Sequence, residues 1–520
     1  MGSLAAMNEG QPSQFGMQFV DLHEAKIDES LFGFFSAQDL SERGALPIAQ
    51  VGDSIVVAVG DPYDLDLEAE LTLSTGRHIR SVLADPQEIS KALKHRFGVG
   101  SSALDDDTED GEASFDDFGE GADLDDLGEQ RTVSKLVTEL LEDALQQGAS
   151  DVHLENEEGV FHVRYRVDGL LRLVHFPPKM SQYRSAIISR IKILAKLNIA
   201  ERRLPQDGRF KTSVLHRETD IRVSVIPMLH GENIVMRLLD RGREVLSISD
   251  LEIPAEQERQ FLETIKRPNG MILITGPTGS GKTTTLYSAL NAIRDQTIKI
   301  VTIEDPVEYS LPGIHQIQVH EKIGRTFANG LRSILRHDPD VVLVGEIRDR
   351  ETAQSAVQAS LTGHLVLSTL HTNDACGAVS RLVDMGVEPF LVASTLRGVM
   401  AQRLARRLCG HCKQQVDAKS IGIPEDYPDP DGVIWVATGC RHCHQLGYRG
   451  RLPIFEWLNV DESARQLAAK GADATTLRQH ANTLGMKSLR ECGWQAVMQG
   501  KTTVDEILRL TGVSNDAVEA

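Results

Sequence analysis

From Leu251 onward, short apolar runs recur at regular intervals. "MILIT", "KIVTIE", "DVVLVG" and "HLVLSTL" are apolar at both parities, as strands buried on two faces are. Helix-period stretches such as "KTTTLYSALNAI" lie between them. This alternation predicts a mostly parallel sheet covered by helices on both faces. Upstream the pattern changes. In "VFHVRYRVDG", Phe161, Val163, Tyr165 and Val167 alternate with His162, Arg164, Arg166 and Asp168, which predicts a sheet with one charged, open face; "TDIRVSVIP" repeats it. Two helices accompany these strands. One carries Val133, Leu136, Val137, Leu140, Leu141, Ala144 and Leu145 on a single face with Gly148 placed to end it, and the other is "SAIISRIKILAKLNI". Residues 19–98 mix strand-like "SIVVAVGDP" with helical "PQEISKALKHRFG" and read as a small α/β domain. It shows no catalytic motif and no clear cyclic-dinucleotide pattern.

Charge adds a linker to this picture. Residues 101–130 hold thirteen Asp and Glu and no Lys or Arg, so they are expected to form an extended, self-repelling tether. Phe115, Phe118, Leu124 and Leu127 leave room in it for a docking motif. Removing those thirteen charges from the net −20 leaves −7 for the rest of the chain, a balance that argues against nonspecific nucleic-acid binding. No basic start followed by an apolar stretch opens the sequence, and no run of about 18 apolar residues occurs, so a cytoplasmic protein is expected. The expected division is an N-terminal docking domain (1–100), the acidic linker (101–130), an α+β domain (131–250) and a nucleotide domain (251–520).

The chemistry starts at "TGPTGSGKTT". Gly276 to Thr283 fit G-x-x-x-x-G-K-[ST], with an apolar strand before and a helix after. Glycines let backbone amides turn inward around phosphates, and the helix N-terminus adds the positive end of its dipole. Gly276, Pro277, Thr278, Gly279, Ser280, Gly281, Lys282, Thr283 and Thr284 are therefore the candidate ATP-binding residues, with Lys282 on the β and γ phosphates and Thr283 on Mg²⁺. Acidic groups should close neighbouring strands. Glu304 and Asp305 end one, and Glu346 ends another in which Gly345 stands where many ATPases have a metal-binding Asp. Any of the three carboxylates is a candidate to polarise water or to hold Mg²⁺ through water, and the sequence leaves base and metal ligand undivided between Glu304 and Glu346. His364 and His371 sit at the two ends of "HLVLSTLH"; His371 is taken as a catalytic candidate and His364 as a nucleotide-binding one.

"CGHC" (Cys409 to Cys412) and "CRHC" (Cys440 to Cys443) are two CxxC pairs, the donor set of a closed tetrahedral Zn²⁺ site in a reducing compartment. A zinc lobe is expected over about 405–450. Cys376 and Cys492 read as buried small hydrophobes.

Four blocks in order, "GPTGSGKT", "TIEDPVEY", "DPDVVLVGEIRD" and "TGHLVLSTLHTNDA", resemble the Walker A, Asp box, Walker B and His box of the secretion ATPase superfamily. "LPQDGRF", "TDIRVSVIP" and the two CxxC pairs extend the resemblance, over about 130–510, to its GspE/PilB-type assembly branch. The resemblance implies a RecA-like P-loop ATPase core preceded by an α+β (PAS-like) domain and a small N-terminal α/β domain, with the zinc lobe inserted in the C-terminal domain. It also implies a homohexamer, peripheral at the inner membrane, that drives pseudopilus assembly for type II secretion, or type IV pilus assembly, through an inner-membrane platform protein and an adaptor. Arg209, Arg222 and Arg237 match second-domain arginines that reach the γ-phosphate region, and Arg332, Arg336 and Arg348 match positions near the site. Two readings of other classes stand beside this one: a nucleotide-gated binding module with little hydrolysis, and a RecA-like nucleic-acid translocase.

Overall fold

The computed structural model describes residues 17–98, with gaps at 23–24, 26, 36–38, 41–42 and 65, and then residues 124–215, 217–240 and 246–512. The chain divides into two compact units, Met1–Gly242 and Arg243–Ala520. Most of the acidic segment lies outside the described residues, but its last part does not behave as a tether. A helix already begins at Leu124 and runs to Gln146. Asp125, Asp126 and Glu129 fall at its start, where the helix dipole favours negative charge, so acidity here is compatible with order.

The first unit contains two sheets. In the smaller, β1 (Ala45–Val51) runs antiparallel to β2 (Ser54–Val59), which pairs in parallel with β3 (His78–Leu83). Leu46, Val57, Val82 and Leu93 are among the residues that fill its core. The larger sheet has β4 (Ala149–Glu157), β5 (Val160–Val167), β6 (Leu170–Leu173), β7 (Gln206–Val214), β8 (Arg217–Met228) and β9 (Gly231–Asp240) in the order β6-β5-β4-β9-β8-β7, every pair antiparallel. Alternation sorts its faces as the sequence predicts. Val163, Tyr165, Val167, Ile221, Val223 and Val225 pack with Leu136, Leu140, Ile187 and Ile191 of the two helices. The second helix is shorter than its apolar pattern, Arg184–Leu194, because Lys196 turns into the left-handed region at φ 58°.

The second unit is built on a seven-stranded sheet of β10 (Gly270–Thr275), β11 (Ile300–Glu304), β12 (His315–Gln318), β13 (Val341–Val344), β14 (Leu365–Leu370), β15 (Leu396–Leu408) and, after an excursion, β18 (Tyr448–Asn459). Their order is β12-β11-β13-β14-β10-β15-β18, parallel except for the last pair. Two apolar cores flank it. One lies between the sheet and the helices Ala255–Ile265 and Lys282–Ile293, the other under the helices Phe327–Ile334, Arg350–Leu361 and Ala375–Asp384 and the C-terminal ones. Between β15 and β18 the chain leaves as a lobe holding β16 (Gln414–Asp417) and β17 (Val433–Val436), an antiparallel pair. Among the described residues no helix is long and apolar enough to cross a membrane.

Candidate functional site

β10 is wholly buried and delivers the loop Gly276–Gly281 to the N-terminus of the helix Lys282–Ile293. Two glycines there have no substitute. A Cβ on Gly276 (φ 151°) would lie 2.5 Å from the Gln402 carbonyl oxygen, and one on Gly281 (φ 87°) 2.8 Å from the Gln402 amide nitrogen. Pro277, Thr278 and Gly279 form the exposed tip, whereas Ser280 is buried with its hydroxyl unsatisfied, and Thr283 and Thr284 are half-buried in the first turn. Lys282 folds back over the loop, its Nζ donating to the carbonyls of Gly276 (2.7 Å) and Pro277 (3.1 Å). Burial brings its ammonium down to about 8; the Glu346 carboxylate opposes the drop and Arg403 adds to it. The glycine cradle, the orphaned hydroxyl and a partly desolvated cation suit a phosphate chain with its metal.

The parallel register puts the C-terminal ends of β13 and β14 beside this loop. Glu346 follows β13, and its carboxylate pairs with Arg348 and with His371 Nε2 at 3.3 Å. The His371 loop is tied to both β10 and β15: Thr372 N donates to Thr275 Oγ1 at 2.8 Å, and Arg403 Nη2 donates to the Asn373 carbonyl at 2.7 Å. Lys282, Glu346 and His371 thus converge on one edge of the sheet. Gly345 is tightly packed: a Cβ there would lie 3.3 Å from Glu304 Cα and from the Ile303 carbonyl oxygen, and 3.4 Å from the Phe327 ring.

Other expected residues fall elsewhere. Asp305 is exposed at the start of the loop after β11, while Glu304 is turned inward and hydrogen-bonded to Tyr287, Thr302 and Gln316. His364 is a correction. It precedes the N-terminal end of β14, and Gly270, at the start of β10, donates to its carbonyl, so it lies at the sheet edge opposite the phosphate loop. Its ring Nδ1 instead contacts the Ala359 carbonyl at 2.9 Å, at the end of the preceding helix. Arg332 pairs with Glu351 across exposed surface, and Arg336 bonds within its own helix turn; of these three arginines only Arg348 adjoins Glu346.

The sequence reading missed Gln402 and Arg403. Gln402 is 2% exposed, accepts from the Thr285 hydroxyl at 2.7 Å and packs on Gly281; Arg403 is 8% exposed. The available signal was a strand, "LRGVMAQRLARRL", whose polar residues interrupt an otherwise apolar run.

In the first unit, Arg209, Arg222 and Arg237 stand in one cross-strand row: Arg209 faces Arg222, Arg222 faces Arg237, and Arg237 faces Asp151. Asp151 accepts from Arg237 Nε at 2.8 Å and lies 3.8 Å from Arg166 Nε. Like charges placed opposite one another destabilise a sheet, and Asp151 offsets the row at its Arg237 end.

The four cysteines form a second site. Their sulfurs all lie within 4.8 Å of one another, with Cys409–Cys440 at 3.8 Å and Cys412–Cys443 and Cys440–Cys443 at 3.7 Å. Tetrahedral Zn–S bonds of about 2.3 Å require sulfurs about 3.8 Å apart, so the donor set fits zinc. Burial pushes the Cys443 thiol up, but N–H bonds from Cys440 and Gly447 bring it down to about 7. Cys376 and Cys492 are buried thiols that burial pushes up, to about 12 and about 11, as inert hydrophobes should be.

Comparison with known proteins agrees with this geometry. Residues 126–509 match the family described as Type II/IV secretion system protein, and residues 15–103 match the MshEN domain. The chain is 43% identical to the type IV pilus assembly ATPase PilB of Myxococcus xanthus over 514 residues, covering 95% of this chain and 89% of that one. It is 51% identical to the type II secretion system protein HxcR of Pseudomonas aeruginosa over 397 residues, 76% of this chain and 81% of that one. Among solved structures, the pilus retraction motor PilT with bound ADP aligns with a TM-score of 0.50 and 25% identity, over 74% of this chain and 99% of that one. DotB of Legionella pneumophila shares the fold, with a TM-score of 0.53 at 21% identity, over 72% of this chain and 95% of that one. With phosphate loop, strand-end carboxylate and cysteine cage all in place along the matched span, the chain belongs to the Type II/IV secretion system protein family.

Proposed function

We propose that this protein is a homohexameric, Mg²⁺-dependent ATPase whose hydrolysis drives pseudopilus assembly for type II protein secretion. One observation carries the reading: Lys282, Glu346 and His371 converge at a phosphate loop whose Gly276 and Gly281 leave no room for a Cβ. The loop amides and Lys282 bind the β and γ phosphates; the Thr283 hydroxyl would hold Mg²⁺, which would supply neutralisation of phosphate charge. Glu346 orients a water and accepts its proton, with His371 and Arg348 fixing the carboxylate. Arg209, Arg222 and Arg237 are the second domain's candidates for neutralising charge on the transferred phosphoryl. The cysteine cage holds a structural zinc ion. The ring works in the cytoplasm, held at the inner membrane by a platform protein and an adaptor.

Type IV pilus assembly is the second reading, favoured by the Myxococcus relative, which aligns over 95% of this chain, N-terminal region included. A chromosomal Glu346→Gln allele separates the two: loss of exoprotein secretion with intact surface pili supports the first, and the reverse supports the second. Purified protein that consumes no ATP with Mg²⁺ and Zn²⁺ present, in any oligomeric state, would overturn both. Turnover that rises with single-stranded DNA and falls steeply with salt would point to a translocase instead.

A further inference from the structure

Glu304 closes β11, and alternation along that strand aims it. Ile300 belongs to the core beneath the helix Lys282–Ile293, whereas Val301 and Ile303 belong to the core on the other face, so Thr302 and Glu304 point toward that helix. Glu304 is 4% exposed, and the donors that reach it are neutral. The Tyr287 hydroxyl donates to Oε2, the Thr302 hydroxyl to Oε1 at 2.5 Å, and the Gln316 amide to Oε1 at 3.2 Å.

Tyr287 is on the helix that begins with Lys282 and is itself fully buried, its ring set edge-on to Tyr309 at 4.7 Å. Gln316, on the edge strand β12, closes the network. Its Nε2 lies 3.4 Å from the Tyr287 oxygen and donates to the Tyr309 carbonyl at 3.1 Å, and its Oε1 accepts from Leu311 N at 2.8 Å. Burial, and then the Glu304 charge, push the Tyr287 phenol well up, so it remains a donor throughout the working pH range. A carboxylate buried among neutral donors depends on each of them, because losing one leaves charge unsatisfied where the dielectric is low.

We propose that Tyr287 is a positioning residue: acting through Glu304, it fixes the end of β11, and with it Asp305, relative to the helix that carries Lys282 and Thr283. Gln316 extends the same link to β12. The proposal rests on the ATPase reading, and it divides two carboxylates that the sequence left equivalent. Glu346 stands beside Lys282 of the phosphate loop, and Glu304 locks two elements together.

The test is a double-mutant cycle on the full-length protein, read by steady-state ATP turnover. Tyr287→Phe removes one hydroxyl and keeps the ring. It is expected to lower kcat about tenfold and to leave KM for MgATP within about twofold, since the phosphate loop is untouched. In a Glu304→Met background the same change should cost less than about twofold, because the tyrosine has nothing left to hold. Gln316→Met run through the same cycle serves if Tyr287→Phe does not purify folded. Hydrogen exchange reads the link without turnover: Tyr287→Phe should speed exchange in β11 and β12 and leave β10 and β14 unchanged. Losses that multiply in the double variant, or wild-type kcat in Tyr287→Phe, would overturn the proposal. An inactive wild type would sink the ATPase reading while the exchange result still decides this one.

Discussion

Lys282 shows how one side chain can be tuned by its surroundings. Its ammonium titrates near 8, so the cation is present below that pH and is lost as pH rises through it. The ratio kcat/KM reports the free enzyme and should therefore fall above about pH 8, while kcat falls later, because bound phosphates hold the proton on. A pH series of both parameters checks this. Glu346→Gln keeps the size of the side chain and removes its basicity; turnover should fall by about 10²-fold or more, with nucleotide affinity within a few-fold by equilibrium binding. Residues of this kind were legible in the sequence because the loop motif is local, with strand, loop and helix in one short stretch. Gln402 and Arg403 were not legible. They reach the loop only through the pairing of β10 with β15, a relation that no spacing along the chain encodes.

At the scale of elements, strand direction decides what a motif means. His364 and His371 bracket one strand, but β14 runs parallel to β10, so only its C-terminal end approaches the phosphates. A six-residue strand spans about 20 Å, which puts His364 out of reach of the loop beside it. The charged face of the second-domain sheet was readable from alternation alone; that its arginines form one row required the register. Arg222→Gln keeps a polar side chain in the row and removes its charge; turnover should drop in the ATPase assay while thermal melting still shows a cooperative folded sheet. Close packing gives the opposite case. A Cβ on Gly398, in β15, would lie 2.3 Å from the Trp457 ring, so Gly398→Ala should cost about 1–3 kcal/mol, measurable by denaturant unfolding.

At the scale of the whole molecule, side-chain contacts tie the cysteine lobe to the C-terminal helices. Lys413 donates to the Gly500 carbonyl at 2.8 Å and sits over the Trp435 ring, and Asp426 in the lobe accepts from Arg490 and Trp494. Metal analysis should find one zinc per chain, and Cys440→Ser should abolish it. Its thermal midpoint should fall by at least about 5 °C, because binding energy at such a site is folding energy. The two CxxC pairs made this centre visible from sequence, whereas its docking to residues near 490–500 was not, since those contacts join segments distant along the chain.

Leu408 and Tyr448 are cross-strand partners, so the lobe departs from and returns to the same rung of the β15–β18 ladder. It is an appendix in the topological sense: excising residues 409–447 and bridging the gap with a tight turn would leave every rung of the central sheet intact. Sister motors could therefore gain or shed this piece without redesigning their engine. Such a trimmed protein, with the exposed Trp494 and Gly500 neighbourhood patched by polar substitutions, should still burn fuel while failing to deliver its output.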